Sequence, residues 1–133
     1  MKIAVDSNVV LRFLLADDEK QAASARRVLQ SADQVILTLP VLCEVVWTLS
    51  RGYKLDTASI AEALAVLLRS GKVVVNRGAV DAGLAMLLAG GDFADGAIAH
   101  EGMTLGAQEL VTFDRQAATL LKKKGVAKVR LLA

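Results

Sequence analysis

Four acidic residues of this chain stand inside or beside strongly apolar stretches. These residues are Asp6, Glu44, Asp95 and Asp114. Glu44 is the most unusual of them, because residues 41–47 around it are otherwise apolar. An ionised carboxylate that leaves water without a partner loses roughly several kcal/mol of solvation, so a cation usually accompanies it. We therefore interpret the four acids as parts of one site that holds a positive group.

Carboxylate oxygens with open positions suit Mg²⁺ or Mn²⁺, hard cations that keep several waters and bridge carboxylates to phosphates. A metal held in this way can polarise a phosphodiester and activate a bound water, without a protein nucleophile. The sequence contains no His or Cys cluster that would select zinc. His100, the only histidine, lies five residues past Asp95, which on a helix turns it about 140° away. Cys43 is the only cysteine and cannot form an internal disulfide.

Each acid also has a purely structural alternative. Asp92 and Asp95 fit an N-cap and a first-turn acid of one helix, and Asp114 fits the N-cap of another. Asp6 could be a turn residue, although Ser7 is the residue that we expect to cap the helix after it. Glu44 could form a buried ion pair with Arg12 or Arg51. The sequence leaves these alternatives open.

Short apolar segments alternate with longer helical patterns, which predicts one α/β domain over residues 1–133 with a mainly parallel sheet. Strands are predicted near residues 3–6, 35–38, 72–75, 109–113 and 128–132. Helices are predicted over 17–31, from Pro40 through Glu44, over 57–69, over 79–89, from 92 to 106, and after Asp114. Sites in such sheets form at the carboxyl ends of strands, where Asp6 and Asp114 fall.

Composition narrows the class of protein further. Hydrophobic residues make up 54% of the 133 residues, which favours a folded domain and predicts a surface for self-association or for a partner. No apolar run reaches the length of about 18 residues that spans a bilayer, and we expect a cytoplasmic protein. The net charge of +2 says little about nucleic acid. The basic triplet 122–124 fits a solvated helix end better than a phosphate-binding patch.

The chain resembles the PIN-domain ribonuclease toxins of the VapC type. The resemblance is carried by the segments that contain the four acids, residues 5–12, 42–49, 92–99 and 112–115, in their order and spacing. It implies a three-layer α/β/α sandwich around a central, mainly parallel sheet of four to five strands. The order and spacing of the four segments extend over nearly the whole chain, from residue 5 to residue 115.

The resemblance also implies roles for individual residues. Asp6, Glu44 and Asp95 match the core metal-binding acids, and Asp114 matches a more variable fourth acid that acts directly or through water. Asn8 and Thr112 match the polar neighbours that orient those carboxylates. Asp92 is a further metal contact in one interpretation and only a helix cap in the other. The site as a whole is then catalytic, with Mg²⁺ or Mn²⁺ as the cofactor.

Arg12 and Arg115 are our candidates for RNA binding, because each lies close in sequence to one of the acids. The implied function is a metal-dependent endoribonuclease, the toxin of a type II toxin–antitoxin pair. Its partners would be RNA, a VapB-like antitoxin and a second copy of the chain. Without the resemblance, the residues indicate only phosphodiester hydrolysis and do not distinguish RNA from DNA. A DNA-directed nuclease and a non-catalytic PIN-like binding module are therefore the alternative functions. A phosphoreceiver domain is disfavoured, because the third predicted strand ends at Asn76 rather than at an aspartate.

Overall fold

Seven α-helices and five short strands form the protein in a computed structural model that describes residues 1–133. The strands are β1 (Lys2–Ala4), β2 (Gln34–Ile36), β3 (Val73–Val74), β4 (Leu110–Thr112) and β5 (Val129–Leu131). The helices are α1 (Ser7–Leu15), α2 (Glu19–Ser31), α3 (Leu39–Trp47), α4 (Thr57–Leu68), α5 (Arg77–Leu88), α6 (Phe93–Thr104) and α7 (Arg115–Lys123). A single π-helical turn, Thr48–Gly52, continues α3. All five predicted strands are present, and every predicted helix is found within a few residues of its expected bounds.

Side-chain caps fix where six of the seven helices begin. The capping residues are Asp6, Asp18, Asp56, Asn76, Asp92 and Asp114. In each case one side-chain oxygen accepts a hydrogen bond from a backbone N–H two or three residues further on, at 2.7–3.2 Å. Such caps satisfy amide groups that have no partner within the helix. The prediction that Ser7 caps α1 is wrong, because Asp6 does so and Ser7 is buried in the first turn.

The chain divides into two compact units. Unit 1 comprises residues 1–75 and unit 2 residues 76–133. In unit 1 the strand order is β1-β2-β3, and both pairs are parallel, with Ile3 opposite Val35 and Val35 opposite Val73. Helices α1 and α2 pack together, as do α1 and α3. Fully buried side chains from α1, α3, the π-helical turn and α4 supply the core, namely Val10, Leu42, Val45, Leu49, Ile60 and Leu64.

Unit 2 contains the parallel pair β4-β5, with Leu110 opposite Val129. Its core includes Met86 of α5, Ala99 of α6 and Leu121 of α7, all of which are fully buried. The strands are thus hydrogen-bonded as a three-stranded and a two-stranded parallel sheet. The α/β class predicted from the sequence is confirmed.

Helices α5 and α6 approach each other very closely, and Gly96 is what permits the approach. A Cβ atom on Gly96 would lie 2.3 Å from the carbonyl oxygen of Ala82 and 2.9 Å from Gly83 Cα. Both neighbours are backbone atoms of α5, which cannot rotate out of the way as a side chain can. Glycine at this position therefore sets the spacing of the pair, and Asp95 immediately precedes it in the first turn of α6.

Several large apolar side chains remain exposed, as the high hydrophobic fraction predicts. The most exposed beyond the N-terminus are Trp47, Leu88, Ile98, Leu105 and Phe113. Among the helices, none combines the length and the apolar character required to cross a bilayer.

Candidate metal and nucleic-acid site

Three of the candidate acids belong to unit 2, and the ends of helices α6 and α7 position them. Asp92 caps α6 through a hydrogen bond from Ala94 N to its Oδ1 atom, at 3.1 Å. Asp114 caps α7 through a hydrogen bond from Ala117 N to its Oδ1 atom, at 2.9 Å. Each cap occupies one carboxylate oxygen and leaves the other oxygen without a protein donor. Both capping predictions are confirmed, and capping leaves a ligand oxygen available.

Asp95 is electrostatically different from its two neighbours. It is partly buried in the first turn of α6 and accepts no hydrogen bond from the protein. Burial first, and then the negative charges of Asp92 and Asp114, raise the pKa of the Asp95 carboxyl above its ordinary value. The charges of Asp92 and Asp114 therefore make a negative charge on Asp95 less favourable. A bound cation would relieve the repulsion, as would protonation of one carboxyl group.

The loop after β4 is held by Thr112. Its Oγ1 atom accepts a hydrogen bond from Asp114 N at 2.9 Å, which fixes the backbone that carries the Asp114 carboxylate. Arg115 follows as the first residue of α7, with an exposed side chain. None of the four ion pairs in the structure involves its guanidinium group. The Arg115 side chain is therefore available to an anion from outside the protein.

The other two candidate acids, Asp6 and Glu44, belong to unit 1. Asp6 follows β1 and caps α1, accepting a hydrogen bond from Val9 N at 3.2 Å. With residues of α1 that include Asn8 and Arg12, it lines a cavity of about 320 Å³, whose opposite wall comes from α2. Asn8 is exposed on the first turn of α1 and makes no side-chain hydrogen bond within the protein.

Glu44 is not in the environment that the sequence predicts. Its side chain is exposed on α3, while the neighbouring Leu42, Val45 and Val46 are buried. An apolar stretch of helix still has one face toward solvent, and Glu44 shares that face with Trp47, three residues further along. The expected desolvation of Glu44 and the alternative of a buried ion pair with Arg12 or Arg51 are both wrong.

Arg12 belongs to a polar network that the sequence did not reveal. Its Nη1 atom lies 3.0 Å from Asp17 Oδ1, and the Tyr53 hydroxyl donates to Asp17 Oδ2 at 3.1 Å. Tyr53 first, and then Asp17, raise the pKa of Arg12. Burial acts to raise the pKa of Asp17, but hydrogen bonds from Tyr53 and Arg12 outweigh it and lower that pKa. Arg12 therefore joins the end of α1 to the segment after the π-helical turn.

The only sequence signal for this network was the spacing between Arg12 and Asp17, five residues apart across the end of a helix. Tyr53 lies 36 residues from Asp17, and no local pattern connects them. The π-helical turn Thr48–Gly52 was also not predicted, although such turns are rare and frequently occur near functional sites.

His100 packs against the α5–α6 contact rather than beside the acids. A Cβ atom on Gly78 would lie 2.4 Å from His100 Nε2, so the imidazole occupies the space above that glycine. Its Nδ1 atom is buried and has no hydrogen-bond partner. The structure thus gives His100 a packing contact in unit 2.

A divalent cation fits the donor chemistry of these acids. All the candidate ligands are carboxylates, the ligand type that Mg²⁺ and Mn²⁺ prefer. Within neither unit do three or more His, Cys, Asp or Glu side chains form a group able to hold a metal ion. Mg²⁺ usually takes one or two carboxylates and keeps several waters. The repulsion of the Asp95 carboxylate by Asp92 and Asp114 fits such an ion.

The comparisons with known proteins agree with this chemistry. The sequence matches the PIN domain family over residues 3–123, which is most of the chain. A search of the curated proteins found no match. The chain therefore belongs to the PIN domain family. PIN domains are generally metal-dependent nucleases, which typically bind divalent metals and act on nucleic acid.

Proposed function

We propose that this protein is a metal-dependent endoribonuclease of the VapC type, the toxin of a type II toxin–antitoxin pair. The observation that carries the proposal is the match to the PIN domain family over residues 3–123, and the partly buried Asp95, whose negative charge Asp92 and Asp114 disfavour, supports it. Enzymes concentrate like charges where a cation or a reacting group later balances them. Residues 1–133 then act as one PIN domain.

The proposed metal ligands are Asp6, Glu44, Asp95 and Asp114, with Asp92 as a further contact. Mg²⁺ or Mn²⁺ bound to them would polarise the scissile phosphate and supply an activated water. Thr112 orients Asp114 through its hydrogen bond to the backbone N–H of that residue. Asn8 presents a free amide in the cavity that Asp6 also lines. The capping hydrogen bonds hold Asp6, Asp92 and Asp114 in place before the substrate arrives.

Two arginines have different parts in this proposal. The Arg115 guanidinium, exposed and without an ion pair, would bind a substrate phosphate. Arg12 is already bonded to Asp17, so a phosphate would compete with that pair. Arg12 is thus better suited to positioning α1, which carries Asn8, than to tight phosphate binding.

A small VapB-like antitoxin and a second copy of the chain are the proposed protein partners. Unit 1 has an apolar cavity of about 270 Å³, whose walls include Val10 and Phe13 of α1 and Val66 and Leu67 of α4. Val66 is also 45% exposed, which leaves apolar surface for a partner helix. Most of the remaining apolar stripe of α4 is already buried in the core.

The decisive experiment is cleavage of total RNA by purified protein, with Mn²⁺ or Mg²⁺ and with EDTA as a control. We expect wild type to cleave only with the metal and Asp95→Asn to be inactive. Asp18→Asn is the control for the loss of one negative charge at the start of a helix, because Asp18 lies at the N-terminus of α2 and is not a candidate ligand. Equal cleavage by wild type and Asp95→Asn would contradict the site.

Two further outcomes separate the alternatives. Preferential cleavage of labelled single-stranded DNA over RNA would identify a DNA-directed nuclease. Tight RNA binding without turnover under any metal condition would identify a non-catalytic binding module.

Metal binding can be tested without turnover. A metal that binds only the folded state at about 100 times its Kd adds about 2.7 kcal/mol of stability. We expect Mg²⁺ or Mn²⁺ to raise the Tm of wild type, and the rise to vanish in Asp95→Asn. An identical response of both proteins would argue that these ions do not bind at Asp95.

A further inference from the structure

Phe113 is an aromatic residue whose exposure the core does not explain. Its side chain is 72% exposed, whereas Phe93 in the same unit is fully buried. Isolated exposed hydrophobic residues are common, so exposure alone decides nothing. The position of Phe113 is more informative, because it lies directly between Thr112 and Asp114.

The backbone on both sides of Phe113 is fixed. Thr112 O accepts a hydrogen bond from Leu132 N at 2.8 Å, and Thr112 Oγ1 accepts one from Asp114 N at 2.9 Å. Asp114 in turn accepts a hydrogen bond from Ala117 N at 2.9 Å. An apolar ring is therefore presented to solvent from a held loop rather than from a mobile one. Because the backbone is already ordered, a ligand that packs on the ring has only the side-chain torsions of Phe113 left to fix.

The charges after Phe113 favour a nucleic-acid strand as that ligand. Asp114 is a proposed metal ligand, and Arg115 has a guanidinium that forms no ion pair. A base-stacking ring beside a phosphate-binding cation is the usual combination in sites for single-stranded nucleic acid. A purely apolar protein partner would have to cover both of these charged side chains.

On the basis of the nuclease function proposed above, we propose that Phe113 stacks on a nucleobase of the single-stranded substrate, adjacent to the phosphate that the metal site holds. Every base has a π-face, so this contact positions the strand without selecting its sequence. Phe113 is thus a positioning residue that fixes the strand with respect to Asp114.

The test is binding rather than cleavage, in an Asp95→Asn background that leaves the strand intact. Two labelled probes are used, an RNA homopolymer and an abasic strand of equal charge. Each has about eight nucleotides, a length within the range of known single-strand sites. Removing one base-stacking contact typically weakens binding roughly 5- to 150-fold. We expect Phe113→Leu to lose this factor for the RNA and to leave binding of the abasic strand unchanged. Phe113→Tyr should restore binding of the RNA.

Leu105→Ala is the control, because Leu105 is an 80% exposed apolar side chain at the opposite end of α6 from Asp95. In the same background, Leu105→Ala should bind both probes with the affinity of the parent, which is the Asp95→Asn protein. If Phe113→Leu binds both probes like the parent, or weakens both equally, the stacking contact is refuted while the nuclease proposal stands. If wild type cleaves no RNA but the binding pattern holds, the nuclease proposal fails and the contact survives. Absence of any RNA binding overturns both.

Discussion

Replacing Gly96 by alanine tests the close approach of α5 and α6. The new Cβ would lie 2.3 Å from Ala82 O and 2.6 Å from Ala82 C, both backbone atoms. An ordinary contact of this kind needs more than 3 Å, so the helices must separate by roughly 1 Å in a densely packed interior. Gly102→Ala is the matched control on the same helix, because a Cβ there meets nothing within 4 Å.

The two substitutions should change stability in opposite directions. Alanine is favoured over glycine within a helix by up to about 1 kcal/mol, which is the whole expected effect at Gly102. At Gly96 the same gain is opposed by overpacking, typically 1–3 kcal/mol and more where backbone must move. We expect a net loss of about 2 kcal/mol for Gly96→Ala. A change of 1 kcal/mol corresponds to about 4 °C in Tm for a domain of this size. The Tm of Gly96→Ala should therefore be about 8 °C lower than that of wild type, and the Tm of Gly102→Ala as much as about 4 °C higher.

Thermal unfolding followed by circular dichroism, with urea unfolding at 25 °C as a second measurement, provides the assay. Asp95 directly precedes Gly96, so Gly96→Ala should also reduce the stabilisation by Mg²⁺ or Mn²⁺. A Gly96→Ala protein as stable as wild type would show that the helix contact is not as close as the structure has it. Equal destabilisation by both substitutions would show that the loss does not come from the contact with Ala82.

Substitutions at three other residues test the electrostatics, one helix cap and one hydrogen bond. The pKa of Asp95 is higher in the folded protein than in the unfolded chain, where it is about 3.8. At a pH above the folded pKa the ionised carboxylate therefore lowers the free energy of unfolding. At a pH below the unfolded pKa this destabilisation is absent. Without metal, Asp95→Asn should therefore be more stable than wild type at pH 7, by less than about 1 kcal/mol, and Tm values measured from pH 7 to 4 should converge; a constant difference would contradict this cause. Asp114→Ala removes the cap of α7 and should lower the free energy of unfolding in urea by about 0.5–2 kcal/mol. Asp114→Asn should keep the cap and lose only RNA cleavage. Equal losses of stability in the two variants would show that the cap is not the cause. Tyr53→Phe should lower the urea midpoint in the same assay, since Asp17 loses one of its two donors, and an unchanged midpoint would show that this hydrogen bond does not contribute to stability.

Local signals in the sequence were enough to place most of the secondary structure. The helix starting at Arg115 was predictable because Asp114 caps it, and the strand at 110–112 because an apolar segment precedes that cap. Helix α5 begins at Arg77, two residues before the predicted start, because Asn76 caps it through Ala79 N. Capping chemistry acts over two or three residues, which is why it can be deduced without tertiary information.

Features that depend on which surfaces meet could not be deduced in this way. Glu44 was expected to be buried because its neighbours are apolar, but composition does not determine the rotation of α3 about its axis. The contact between Tyr53 and Asp17 joins distant parts of unit 1, and no residue type or spacing indicates it. Gly96 could be recognised as a helical glycine, but its close contact with Ala82 depends on how α5 and α6 cross.

Helix capping explains how this chain can concentrate negative charge at little cost to its stability. Asp6 in unit 1 and Asp92 and Asp114 in unit 2 each accept a backbone hydrogen bond at the N-terminal end of a helix, where the helix dipole is positive. Asp95 accepts none and is partly buried, and burial together with the negative charges of Asp92 and Asp114 raises the pKa of this carboxyl group. Neutralising Asp95 should therefore stabilise the metal-free fold and at the same time remove its response to a divalent cation. If Asp95 were a purely structural acid in the first turn of α6, the Asp95→Asn substitution would produce neither result.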